Sequence, residues 1–115
     1  MTLSERHVGA VAVIDVPASL TLGASADTLH DKVRSLLQQG QKHIVVNLGA
    51  VSYMDSSGLG ALIAAFATTA KQGGTLKLLH LTKRLHDLLV ITKLASVFES
   101  FEDETSAVAS FDAPS

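Results

Sequence analysis

Apolar and polar positions fall into short blocks that switch between two periods along the chain. Val11-Ala12-Val13-Ile14-Asp15-Val16 concentrates β-branched residues and is closed by Pro17, which cannot continue a ladder, so it reads as a strand. Leu3 to His7 is placed against it as the other arm of a hairpin turning at Val8-Gly9. Leu29, Val33, Leu36 and Leu37 share one helical face between a cap at Ser25 and a stop at Gly40. Ile44-Val45-Val46-Asn47-Leu48 is almost uniformly apolar, the pattern of a central strand covered on both faces. A connecting segment, Gly49 to Asp55, leads to a second helix with a stripe of Leu59, Leu62, Ile63, Phe66 and Ala70, ended by Gly73-Gly74. Thr75 to Leu81 reads as a strand, and Thr82 caps a third helix with the stripe Leu85, Leu88, Leu89 and Thr92. Val97 to Phe101 alternates as a final edge strand, and a small helix runs from Glu104 to Phe111.

Strands alternating with helices predict an α/β sheet, parallel after the hairpin because each return needs a helical crossover. At 115 residues, of which 47% are hydrophobic and 17% charged, the chain is expected to form a single domain with a buried core. The absence of cysteine removes disulfides, thiolate metal sites and thiol catalysis. A net charge of −2 offers no basic excess for phosphate backbones, which argues against nucleic acid as a partner. The opening Met1-Thr2-Leu3-Ser4-Glu5-Arg6 lacks an export pattern, so a cytoplasmic location is expected. The longest apolar stretch, Leu59 to Ala67, is far below the roughly 20 residues that span a bilayer.

Candidate chemistry concentrates in Met54-Asp55-Ser56-Ser57-Gly58-Leu59-Gly60, at the start of the second helix. The first amide groups of a helix lack intrahelical acceptors, and the macrodipole adds partial positive charge, so anionic groups are favoured there. A phosphoryl group on a serine at this place would add a charge of about −1.5 to −2 without unfolding the helix. On position alone the plainer reading comes first, that Asp55 or Ser56 is only a cap, worth about 1 kcal/mol. Gly58 and Gly60 in the first turn point to small size or close approach and favour the functional reading, the alternative being tight packing against a neighbouring strand.

The strand Ile44 to Leu48, followed by Val51-Ser52-Tyr53-Met54-Asp55-Ser56-Ser57-Gly58-Leu59-Gly60, resembles the signature of STAS-domain anti-sigma-factor antagonists. The likeness continues through Gly73-Gly74, Leu76-Lys77-Leu78-Leu79, and Thr82 to Leu94, where the family's helix ends in a Thr-Lys-Leu or Ser-Gly-Leu turn. The resemblance implies the STAS-type fold, a mixed and mostly parallel sheet of four to five strands packed with about four helices. It implies a regulator rather than an enzyme, with no cofactor. The unmodified protein would bind an anti-sigma factor that is also a serine kinase, releasing a sigma factor. Phosphorylation by that kinase, which supplies the bound ATP, would end the interaction, and a serine phosphatase would restore it.

By motif match the acceptor is Ser56, with Ser57 its neighbour and Asp55 orienting the serine loop or the acceptor hydroxyl. Tyr53, Met54, Gly58, Gly60 and Thr21 complete the expected partner-binding set, while Leu62, Ile63 and Phe66 are expected to support the fold. Members that act on kinase anti-sigma factors often carry Gly-x-Leu-Asp after the second strand. Here the stretch reads Pro17-Ala18-Ser19-Leu20-Thr21, and the acid is missing.

Two other readings stay open. One is a STAS subunit of a larger signalling or lipid-transport assembly, in which the serine is structural. The other is a small hydrolase using Ser56, which needs His80 or His86 as a base within reach. The serine segment lacks the leading glycine of a nucleophile elbow. His7, His30, His43, His80 and His86 have no paired metal-ligand spacing, and no phosphate-cradling glycine loop is present. From Leu94 onward Lys and Arg are absent, and Glu99, Glu102, Asp103, Glu104 and Asp112 read as a solvated acidic end.

Overall fold

β1 (Ser4–Val8) and β2 (Val11–Asp15) form an antiparallel hairpin with Val8 opposite Val11. Gly9 takes φ +60° at the first loop position, the arrangement of a type II′ turn, so the turn lies at Gly9-Ala10, one residue later than the pattern predicts. The computed structural model describes residues 3–17, 19–20 and 26–111. The Ser25 cap therefore lies outside the described residues.

β2, β4 (His43–Asn47), β6 (Thr75–Leu79) and β7 (Ser100–Phe101) are parallel, and the sheet order is β1-β2-β4-β6-β7. The expected parallel sheet behind a hairpin is thus found. Every crossover steps the same way across the sheet, so right-handed connections place α1 (Ala26–Gln38), α2 (Ser56–Lys71) and α3 (Lys83–Ile91) on one face. There Ile14, Ile44 and Leu78 meet Leu36 of α1, Leu62 of α2 and Leu89 of α3. On the other face Val13, Val45 and Leu79 are covered through Ala107 and Val108 of α4 (Glu104–Ala109). Both faces of β2 and β4 are buried, which explains their continuous apolar runs.

Several elements depart from the sequence pattern. The strand from Thr75 stops at Leu79 because His80 takes φ +57°, which breaks the extended run. The predicted strand at Val97 shrinks to β7, since the Val97 N–H closes a turn on Leu94 O at 3.0 Å and Phe98 turns inward against Phe66. Within the predicted connecting segment, β5 (Tyr53–Met54) pairs in parallel with β3 (Ser19–Leu20). In α2 the buried positions are Gly58, Leu62, Ala65 and Thr69, which turns Ile63 and Ala70 to solvent. Phe66 is half-buried. Thr92 is exposed and serves as the C-cap of α3, its hydroxyl donating to Leu88 O at 2.8 Å. The last helix stops at Ala109 rather than Phe111.

Three helices end in the same double-bonded turn. Gly40 N–H donates to Leu37 O and Gln41 N–H to Leu36 O after α1. Gly73 with Ala70 and Gly74 with Thr69 repeat this after α2, as do Lys93 with Val90 and Leu94 with Leu89 after α3. The turn needs a left-handed residue, supplied by Gly40 at φ +87°, Gly73 at φ +78° and, unusually, Lys93 at φ +63°. Gly74 answers a different need: a Cβ there would lie 2.6 Å from Lys42 O.

Within the acidic end Asp103 and Glu104 are structural, while Glu99 and Glu102 are exposed as expected and Asp112 lies outside the described residues. The Arg6 guanidinium grips the Asp15 carboxylate through Nε at 2.6 Å and Nη2 at 3.0 Å, and reaches Glu104 of α4 at 2.6 and 3.2 Å. Asp103 caps α4 by accepting the Ser106 N–H at 2.8 Å. At the other end of α4, the buried Lys77 ammonium donates to Ser110 Oγ at 2.8 Å. It also lies 4.5 Å from the centroid of the Phe111 ring, and Glu99 is 3.7 Å away.

Two outcomes are expected. Lys93→Gly removes the left-handed penalty on a side chain and should raise stability by about 0.5–1 kcal/mol in urea unfolding. Arg6, followed by the Asn47 amide, holds the Asp15 carboxyl below its usual range, and the Ser106 amide does the same for Asp103. A carboxylate with a depressed folded pKa stabilises fully above its unfolded value, about 3.9, and loses that contribution as pH falls through the folded value. Amide exchange in α4, corrected for intrinsic rates, should therefore accelerate below about pH 4. Exchange that stays unchanged through strong acid would contradict the clamp.

Candidate functional site

The serine segment is held by the end of the central strand. Leu48 N–H donates to Leu79 O at 2.9 Å, and the buried Val51 folds the chain back by donating to Leu48 O at 3.0 Å. The Asn47 side chain ties the neighbouring strand to this turn, donating to Asp15 Oδ1 at 2.7 Å and accepting the Gly49 N–H at 3.0 Å. β5, braced by β3, then delivers the chain to the start of α2.

Asp55 is the N-cap of α2. Its backbone is extended and its Oδ1 accepts the Gly58 N–H at 2.8 Å, supplying an acceptor that the first turn lacks. The acid thus organises the serine loop through the helix terminus. Ser56 is the first helical residue and is exposed; its hydroxyl forms no hydrogen bond with the described residues. Ser57 is half-buried, and Gly58 is buried against the interior. Gly60 is exposed, and a Cβ built on it meets nothing within 4 Å, so packing in the free protein does not demand its small size. Tyr53 is 54% exposed, while Met54 is half-buried against the core. Thr21 lies outside the described residues.

One part of the surface was not read from the periodicity. Ser56, Gly60, Ile63, Ala67 and Ala70 form the outer side of α2, where no charge occurs before Lys71 and Ile63 is 41% exposed. A signal was present: a helix with an outward face that carries no charge over four turns is suited to docking rather than to solvation.

The geometry of a serine nucleophile is not assembled among the described residues. His7 pairs with Glu5, His30 contacts Thr68 at 3.4 Å, His43 stacks on Phe111, and His86 faces Asp87. His80 packs on Gly49 near Asp103. None of the five hydrogen-bonds Ser56, and the described residues contain no cluster of three metal-ligating side chains. No helix among them is long and apolar enough to cross a membrane.

Comparison with known proteins agrees with this architecture. The sequence profile of the STAS domain matches residues 4–107. An anti-sigma-B factor antagonist of Bacillus subtilis (strain 168) is 43% identical over 75 residues, which are 65% of this chain and 68% of that protein. An anti-sigma F factor antagonist of Paenibacillus polymyxa is 26% identical over 109 residues, 94% of this chain and 92% of that one. The Bacillus cell fate determinant SpoIIAA, solved in its phosphorylated form, superposes with a TM-score of 0.75 at 20% identity and covers 96% of this chain and 99% of its own. At that identity the likeness speaks for the fold. A hairpin-led parallel sheet, three helices on one face and a profile match across nearly the whole of it place the chain in the STAS domain family.

Proposed function

We propose that this protein is an anti-sigma-factor antagonist whose grip on its partner is switched at Ser56. The observation that carries the reading is the exposed Ser56 hydroxyl on a capped helix terminus, at the head of an uncharged outer face. The naming of two relatives as anti-sigma factor antagonists supports it, as does a structural neighbour solved in a phosphorylated form.

The unmodified protein binds an anti-sigma factor through the serine loop and the outer face of α2, and the sigma factor is set free. The anti-sigma factor is also the kinase. The Ser56 oxygen attacks the γ-phosphorus of ATP bound to that partner, the bond to the bridging oxygen breaks, ADP leaves, and the hydroxyl proton is lost to a base or to water. A phosphatase reverses the change with water.

The new group carries about −1.5 to −2 charge onto a face that otherwise has none, so keeping the partner in place would bury a dianion without a counter-charge. The helix itself does not suffer, because its N-terminus favours negative charge. Asp55, one residue away, adds repulsion that separates the two states further.

Incubation with the cognate kinase and ATP should add one phosphoryl group, confined by peptide mass spectrometry to the fragment holding Ser56. An unchanged mass, with the kinase active on another substrate, would sink the mechanism. Ser56→Asp should keep the unfolding midpoint and weaken anti-sigma factor binding by about tenfold or more. A stable complex indifferent to that change would identify a structural subunit of a larger assembly instead. Asp55→Ala should cost about 1 kcal/mol of stability, and Asp55→Asn only a few tenths, because Asn caps as well as Asp.

A further inference from the structure

We infer that the groove between β5 and α3 is a second contact for the same partner, and that it takes an acidic segment of the anti-sigma factor built around one apolar anchor. The inference rests on the function proposed above and adds where, beyond the serine face, recognition is made.

The groove has a volume of about 620 Å³, with Tyr53, Met54, Leu88 and Ile91 among the side chains of its wall and Lys83 and Arg84 at its edge. Ile91 is 77% exposed, and Tyr53 is 54% exposed. Single exposed apolar side chains need no explanation, but two large ones facing one concavity form a patch of the kind that partners cover. Arg84 reaches only the Ser52 carbonyl, at 3.5 Å, and neither it nor Lys83 joins an ion pair among the described residues. Among the described residues that line the groove the one acid is Asp87, with His86 at 3.9 Å.

In a chain of net charge −2, two cations without carboxylate partners among the described residues, at the edge of an apolar groove, select a ligand with the opposite sign. The groove is continuous with the switch: Tyr53 and Met54, which line it, run directly into Asp55 and Ser56. A partner seated on the outer face of α2 needs only to extend past β5 to fill it. The apolar anchor then sets the lifetime of the complex, while Lys83 and Arg84 speed its formation.

The test uses the anti-sigma factor that binds the wild-type protein, with association followed at several salt concentrations. Ile91→Asp should weaken binding by about tenfold or more. Lys83→Glu with Arg84→Glu should slow association several-fold at low salt and flatten its salt dependence. Val97→Asp, a like exchange at an exposed apolar side chain that does not line the groove, should change affinity by less than about twofold. Unfolding midpoints of all variants are compared with the wild type, and because Ile91, Lys83 and Arg84 are exposed they should stay close to it. If the partner binds the wild type and loses Ser56→Asp, yet holds both groove variants as tightly as before, the groove inference is overturned and the switch stands. If no anti-sigma factor binds the wild type, both fall.

Discussion

A helix cannot supply acceptors for its own first amide groups, and the way α2 meets that requirement organises the rest of the site. The Asp55 carboxylate takes the Gly58 N–H, which fixes where the helix begins and leaves the next residue, Ser56, facing outward. Had the cap fallen on Ser56, its oxygen would be committed to a backbone amide and would be a poor acceptor of a phosphoryl group. The cap and the switch are therefore not rival explanations of the segment: the acid does the structural work, and the serine is left available.

The sheet imposes the second constraint. Because all crossovers step in one direction, α1, α2 and α3 crowd one face and the other is left to six residues of α4. So short a helix buries little, and it is held by charge at both ends, through Arg6 with Glu104 and through Lys77 with Ser110 and Phe111. This division of labour leaves the serine loop on the helical layer, while α4 closes the opposite face of the sheet.

Much of this was visible in the pattern of residues, for physical reasons that also explain the misreadings. β2 and β4 are legible because burial on both faces leaves an unbroken apolar run. α2 is legible as a helix, but its orientation is not: with Leu59, Leu62, Ile63 and Phe66 all apolar, more than one stripe fits the period, and only packing against the sheet decides that Leu62 faces in and Ile63 out. The two-residue strands β3 and β5 are too short to show any period. Lys77 breaks its strand's pattern, and what makes it tolerable inside is a hydroxyl and a ring more than thirty residues further on. Ser56 stood out through family resemblance more than through physics, since position alone favoured a simple cap. The groove beside α3 joins residues from two elements and has no local signature.

The tie between Arg6 and Glu104 spans 98 positions. During synthesis the hairpin and the central strands emerge long before the helix that shields their second face. Until residue 104 has left the ribosome, Val13 and Val45 stand uncovered beside a guanidinium that is still waiting for one of its two carboxylates. Closure of this face is thus a late, long-range event, and a nascent chain halted before it leaves apolar strand surface open to aggregation and to chaperones.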